Sequence, residues 1–242
     1  MNQCLVWLTG GNGISAWFAE FARTFEKCFI REDRYKLLLE GIGVTIKISL
    51  LAAFLGLIIG FLIAICSLSK NKLLRFLGKV YTDVIRGTPS VTQLMIIYFV
   101  VFATVDLEKW IIAAIAFSIN SGAYVSEIIR AGILSIDKGQ TEAGRSLGLT
   151  GVQTMFYIVV PQAVKNIFPA MCNEFITLIK ETAIVGYVGL MDIQKAGDFI
   201  KSATYLAMMP LIATAIIYFV LIKILTTVLG VIEKRLRKSD IR

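Results

Sequence analysis

The sequence contains no histidine. That removes the commonest metal ligand and the one side chain whose ordinary titration falls near neutral pH. Its four cysteines, Cys4, Cys28, Cys66 and Cys172, form no C-x-x-C pair. Without His or paired Cys there is no zinc-site pattern, and no metal is expected. No G-x-x-x-x-G-K-[ST] segment occurs, so the chain has no phosphate-cradling loop for hydrolysing ATP. The first 13 residues lack the basic n-region and long apolar h-region of a signal peptide. Charge is scarce as well. Only 17% of residues are charged, against ~25% in soluble domains.

What replaces charge is apolar surface. Hydrophobic residues make up 57% of the 242, and the mean hydropathy is +0.75. The length suits one or two soluble domains, or about five membrane spans joined by short loops. The composition selects the second. The net charge is +8. The Lys and Arg residues flank apolar stretches, as the positive-inside rule expects, so no nucleic-acid partner is inferred. Cys66 and Cys172 sit in apolar segments and read as small core residues. Cys4 and Cys28 can both lie outside the cell, where a disulfide is allowed, although their spacing does not demand one.

Four stretches carry no charge: 48–68, 87–105, 110–126 and 202–222. Each is close to the ~17–25 residues that cross a bilayer. A fifth, 161–190, is apolar but interrupted by Lys165, Glu174, Lys180 and Glu181. Orientation decides whether it spans. The linker 69–80 carries Lys70, Lys72, Arg75 and Lys79 without an acid and is expected inside. The 104–109 link, with Asp106 and Glu108, is expected outside. That puts 130–150 inside, and the basic tail, with Lys234, Arg235, Arg237, Lys238 and Arg242, inside too. An even number of crossings must separate the two, so 161–190 crosses. The expected chain has five spans, its N-terminus outside and its C-terminus inside.

Ahead of the first span, Trp17, Phe21, Phe25 and Cys28 recur at helical spacing, with Glu20, Arg23, Glu26 and Lys27 between them. This predicts an amphipathic helix over 14–35, lying in the lipid interface or packed on the outer face. The expected division is 1–40 for this segment, 41–232 for the membrane domain and 233–242 for the tail.

The segment 138–161 reads KGQTEAGRSLGLTGVQTMFYIVVP. It is too polar to span. Gly139, Gly144, Gly148 and Gly151 are expected to punctuate short helical pieces into a compact knob. On the inner face such a knob is a docking surface. Glu142, Ala143, Gly144, Gly148, Ile158 and Pro161 resemble the EAA loop of permeases in binding-protein-dependent ABC importers. The spacing is kept; Gly144 stands for the second Ala and Val160 for Leu. The resemblance covers about 41–242. The runs IRGTPSVTQ (85–93), SINSGAYVSEIIRAGILSIDKGQ (118–140) and NEFITLIKETA (173–183) are similar to the polar amino-acid and opine subgroup.

The resemblance implies an all-α integral membrane protein, a five-span type I importer permease with a cytoplasmic coupling loop. It implies no enzyme activity and no cofactor on this chain. ATP and Mg would be used by a separate ABC ATPase, two copies per complex, each in contact with one loop. Further implied partners are a second permease or a sister chain, an extracytoplasmic substrate-binding protein, membrane lipid and a polar amino acid. The implied location is the cytoplasmic membrane of a prokaryote.

Ionisable groups at membrane depth usually face a cavity or a partner. Glu174 follows Asn173 in the fourth span, with Thr177 one turn on. A carboxylate there suits the ammonium of an amino acid or a basic side chain. The alternatives are an internal pair with Lys180 or Lys165, or snorkelling. Asn120, Ser121 and Tyr124 form a polar patch in the third span, and Gln93 in the second can join it, either lining the pathway or bonding helices together. Gly122 and Gly132 read as close-approach positions. Gly87 and Pro89 loosen a helix start, with Arg86 expected at the inner headgroups. Residues 185–197 are expected as an outer loop or short helix. Two readings of other classes remain: an ion-gradient-driven secondary transporter, against which the absence of an inverted repeat argues, and a membrane scaffold without transport.

Overall fold

The computed structural model describes residues 13–237. Residues 1–12 and 238–242 lie outside the described residues, and with them the signal-peptide question, any Cys4–Cys28 bridge and the end of the basic tail. Among the described residues every regular element is helical.

The chain begins with α1 (Gly13–Phe25), which runs through a π turn, Glu26–Ile30, and a 3-10 turn, Arg31–Asp33, into α2 (Tyr35–Leu68). Trp17, Phe21 and Phe25 stack along one side of α1, with ring centroids 5.5 and 6.5 Å apart. All three are exposed, whereas Cys28 and Phe29 turn inward against Ala196 and Ile200. Burial pushes the Cys28 thiol upward in pKa.

α2 shows why so apolar a helix packs in one orientation. Apart from Leu38 and Ile48, its buried residues are small and recur about every four positions: Gly41, Thr45, Ser49, Ala52, Gly56, Gly60 and Ala64. Small residues at that spacing let backbones approach closely, which is how helices associate without a hydrophobic drive. The partner is α5 (Lys109–Leu134), which buries Ala113, Ala114, Phe117, Ser121, Gly122 and Val125. A Cβ at Gly60 would overlap Val125, and one at Gly122 would overlap Ile59. Most large residues of α2, among them Leu50, Phe54 and Phe61, point outward.

The second expected span is corrected. It is a bent pair, α3 (Lys72–Arg86) and α4 (Ser90–Ile96), the latter continued by a π turn, Ile97–Val101; the two arms meet at 103°. The expected linker 69–80 is mostly α3, capped by Asn71 accepting from the Leu73 N–H. The α4 arm has 7 α-helical and 5 π-turn residues and reaches only about 18 Å at 1.5 Å per residue, short of the ~30 Å hydrocarbon core. Pro89 lacks an N–H and starts α4 from an extended conformation, so the ladder of α3 cannot continue through it. Absence of charge marks out 87–105 but does not register that break.

After α5 come α6 (Lys138–Ser146), α7 (Gly151–Thr154), a π turn, and α8 (Val160–Glu181). The interrupted 161–190 stretch is therefore a long helix, continued by a 3-10 segment, Thr182–Val188. The expected outer loop at 185–197 is ordered and partly internal. It leads into α9 (Ile193–Thr204), whose N-cap Asp192 is fully buried and accepts from the Gln194 and Lys195 N–H groups and from Tyr218 Oη. Burial pushes the Asp192 carboxyl above its ordinary range, and those donors oppose the shift. Residues 202–204 belong to α9, so the last membrane helix is α10 (Met208–Arg237). Among the described residues four helices are long and apolar enough to cross a membrane, and the bent pair makes a fifth if it counts as one crossing.

Candidate functional site

Positions 120, 124 and 127 of α5 lie on one stripe at i, i+4 and i+7. The stripe faces the bent pair. Asn120, 4% exposed, donates from Nδ2 to Gln93 Oε1 at 2.9 Å. Gln93 in turn donates from Nε2 to the Ile85 carbonyl at 2.6 Å, the Thr88 carbonyl at 3.1 Å and Thr88 Oγ1 at 2.6 Å. A single amide thus satisfies carbonyls left open at the end of α3 and holds the break against α5. One turn further along, the Arg86 guanidinium lies over the Tyr124 ring, 5.2 Å from its centroid. Its Nη1 is 3.9 Å from Glu127 Oε2, while Glu127 is held in a two-point fork by Arg130 at 2.8 and 3.1 Å. Arg86 therefore packs against the second half of α5.

Ser121 projects from the adjacent face of α5, toward α8. Its Oγ donates to Glu174 Oε1 at 2.9 Å. Ser121 sits at the midpoint of the 26-residue α5, so this half-buried carboxylate lies well inside the helix bundle. Glu174 takes Ser121 as its partner rather than Lys180. Thr177 is exposed and makes no hydrogen bond among the described residues. Of the six expected pathway residues, five gather around the middle of α5 and Thr177 stands apart. Gly132 does allow close approach, since a Cβ there would overlap Ile167 of α8. Tyr81 was not singled out from the sequence, yet its Oη donates to the Ile119 carbonyl at 2.6 Å and ties α3 to α5. Glu127 was missed too. Its signal was its place on the Asn120–Tyr124 stripe.

The second part of the site is the α6–α7 knob. Asp137 caps α6 by accepting from the Gly139 N–H at 2.6 Å. Thr150 and Gln153 form a reciprocal capping box that starts α7. Between the two helices Gly148 adopts φ +84, a left-handed conformation that glycine takes at little strain. Gly139 and Gly144 do not punctuate the knob, as expected from sequence, but lie inside α6. Gly144 is buried, and a Cβ on it would come within 2.8 Å of Thr154 and of Ile158. Its lack of a side chain lets α6 fold down onto α7 and the π turn that leads into α8. Glu142 and Ala143 stay exposed on α6, and Pro161 is exposed in the first turn of α8. Around them stand Leu147, Phe156 and Tyr157, 81%, 65% and 73% exposed. A compact knob with apolar side chains facing outward is a surface shaped for a partner. At the far end of α8, Ala183, Tyr187, Lys195 and Asp198 help line an open cavity of about 560 Å³.

These features have counterparts in known proteins. Residues 56–238 match the family model described as binding-protein-dependent transport system inner membrane component. The chain is 44% identical to the arginine transport system permease protein of Bacillus subtilis over 84% of this chain and 94% of that protein. It is 34% identical to the glutamine transport system permease protein of Escherichia coli, over 83% and 93%. A solved structure described as an amino acid ABC transporter with histidines matches with a TM-score of 0.78 at 40% identity. That match covers 86% of this chain and 98% of the solved one.

Proposed function

The chain belongs to the binding-protein-dependent transport system inner membrane components, and from that premise we propose that it carries polar amino acids past Glu174 under the drive of an ATPase seated on the α6–α7 knob. It is a multi-pass membrane permease and not an enzyme; ATP is hydrolysed by a partner subunit. Family membership implies that ATPase and a substrate-binding protein as partners. ATP and Mg belong to the ATPase, and the permease carries no cofactor of its own.

The cargo reading draws on relatives named for arginine and glutamine transport. The observation that carries the pathway assignment is the Ser121–Glu174 hydrogen bond at the midpoint of α5. A carboxylate at that depth is retained where it meets a cation or a polar path. Every amino acid supplies an ammonium, and a basic one supplies a second cation. Asn120 and Gln93 hold the bent pair open beside it, and Tyr124 forms the neighbouring wall. A broken helix beside a polar centre is a recurrent arrangement at transport sites.

The knob residues Glu142, Ala143, Gly144, Gly148, Ile158 and Pro161 transmit movement of the ATPase to α8, on which Glu174 sits. Two ATPases need two knobs, so the assembly contains a second copy or a sister permease. With the knob and basic tail inside, five crossings place the N-terminus outside, and the cavity at the α8–α9 end faces the binding protein. The division into 1–40, 41–232 and 233–242 follows: α1 lies in the lipid interface through its stacked aromatics, and the remainder forms the pathway and its tail.

Glu174→Gln tests the assignment. Losing a charge-assisted contact worth ~1.5–3 kcal/mol predicts a ~10–100-fold rise in the transport KM. Uptake by the reconstituted importer measures it, and unchanged KM with every amino acid tested would assign Glu174 to structure.

A further inference from the structure

α3 presents three faces, and two of them are exposed. Gly78, Tyr81 and Thr82 turn to α2 and α5. A Cβ on Gly78 would come within 2.6 Å of Ser67 Oγ, Tyr81 Oη donates to the Ile119 carbonyl, and Thr82 is buried. A second face carries Leu73, Leu77, Val80 and Val84 at i, i+4, i+7 and i+11, all exposed. The third carries Lys72, Arg75 and Lys79 at i, i+3 and i+7, also exposed, with Lys70 just ahead of the helix. Among the described residues Lys70, Lys72 and Lys79 make no hydrogen bond or ion pair. Arg75 donates to the Ser69 carbonyl at 3.1 and 3.2 Å and so closes the turn from α2. No acid occurs from 69 to 82; Asp83 follows one turn beyond Lys79.

Neither water nor hydrocarbon suits both exposed faces. The apolar side chains disfavour water, and the cations disfavour the acyl region. The boundary between the two accommodates both. The packing puts α3 there. Gly56 lies against Ser121 and Gly60 against Val125, so α2 and α5 run parallel and end on the same side of the bundle. α3 opens just past the end of α2, so its start lies at that surface. Gly78 is still level with Ile63 and Ser67, in the last turns of α2. The 103° bend between α3 and α4 fits this course, because an arm lying along the surface must turn before α4 can enter the membrane.

We propose that α3 is an in-plane helix that binds anionic phospholipid headgroups through Lys70, Lys72, Arg75 and Lys79, with Leu73, Leu77, Val80 and Val84 among the acyl chains. The attraction is electrostatic. Each cation near a charged surface adds to it, and a cluster of about four beside a membrane helix suffices for recognition. Lysine reaches a headgroup phosphate as a point charge on a long stem, even from a helix sunk below the headgroups. Arg75 adds the N–H groups that Ser69 does not hold. A phosphate-bearing solute would take the cations but leave the apolar face bare; an anionic lipid covers both.

Lipid quenching of a fluorophore on α3 tests this. Phe76 is exposed beside the basic face, and Phe76→Trp supplies the reporter; the same protein without it corrects for the chain's own three tryptophans. The full-length permease, in complex with its ATPase, is reconstituted in vesicles of mixed phosphatidylcholine and phosphatidylglycerol. Either lipid is brominated in turn at equal mole fraction. Phosphatidylglycerol is expected to be enriched at the reporter about fivefold, the share of a single surface cation, and less at high salt. Lys70→Gln, Lys72→Gln and Lys79→Gln together are expected to abolish the enrichment while phosphatidylcholine quenches as before, which shows that α3 stays in the interface. Arg75 is kept because it holds Ser69. Lys72→Gln alone is expected to remove part of the enrichment and serves where the triple variant fails to insert. Lys234→Gln with Arg235→Gln, in the tail, is expected to change nothing. Equal quenching by both lipids in the reporter protein overturns the proposal. So does an equal loss in the tail variant, which would assign the attraction to overall charge. Absence of quenching by either lipid removes α3 from the interface altogether.

Discussion

At the scale of single residues, two kinds of position carry the molecule: small ones that set distances and polar ones that fix partners. Gly60 is of the first kind. Its α-carbon sits against Val125, and any side chain must displace α5. Gly60→Leu is expected to overpack this contact at about 1–3 kcal/mol. The melting temperature of the purified protein should fall, with secondary structure retained in circular dichroism at low temperature. An unchanged melting temperature would mean that α2 and α5 are not held at this spacing. Gln93 is of the second kind. It closes three acceptors at the helix break and still accepts from Asn120. From sequence alone it was readable only as a polar residue in a span that joins either a pathway or a helix contact. The structure gives it the second role directly.

At the scale of elements, the α6–α7 knob joins local geometry to coupling. Gly148 turns the chain at φ +84, and a β-branched residue there is strained by about 1–3 kcal/mol. Gly148→Val is expected to deform the knob without touching the membrane helices. Co-purification of the ATPase should fall tenfold or more, while the permease still inserts and extracts normally. Full retention of the ATPase would remove the docking role. The knob was legible in sequence because its signals are local: a cap at Asp137, a capping box at Thr150 and a left-handed glycine. The bent pair was not legible in the same way. Residues 87–105 have the composition of a span, but Pro89 and the amide of Gln93 determine the path, and the Gln93–Asn120 contact joins positions far apart in the chain. The α8 helix shows the converse. Its hydropathy is interrupted by Lys165, Glu174 and Lys180, and the balance of charges between 130–150 and the tail identified it. That Asn120 and Tyr124 lie together was legible for the same reason as the α5 stripe: they share helical spacing.

At the scale of the whole molecule, the arrangement links the α6–α7 knob to a polar centre through one helix. α8 begins beneath α7 and carries Glu174 to the middle of α5. A rigid-body displacement at the knob therefore reaches the centre along a continuous element. Transport through this chain is thereby coupled to ATP hydrolysed on a separate subunit. The measurement that tests it most directly is uptake of radiolabelled arginine and glutamine into proteoliposomes containing the permease, its binding protein and its ATPase, with the ATPase or ATP omitted in parallel. Accumulation of at least one of the two is expected only when the ATPase and ATP are both present. Accumulation that persists without the ATPase and follows an imposed ion gradient would contradict it.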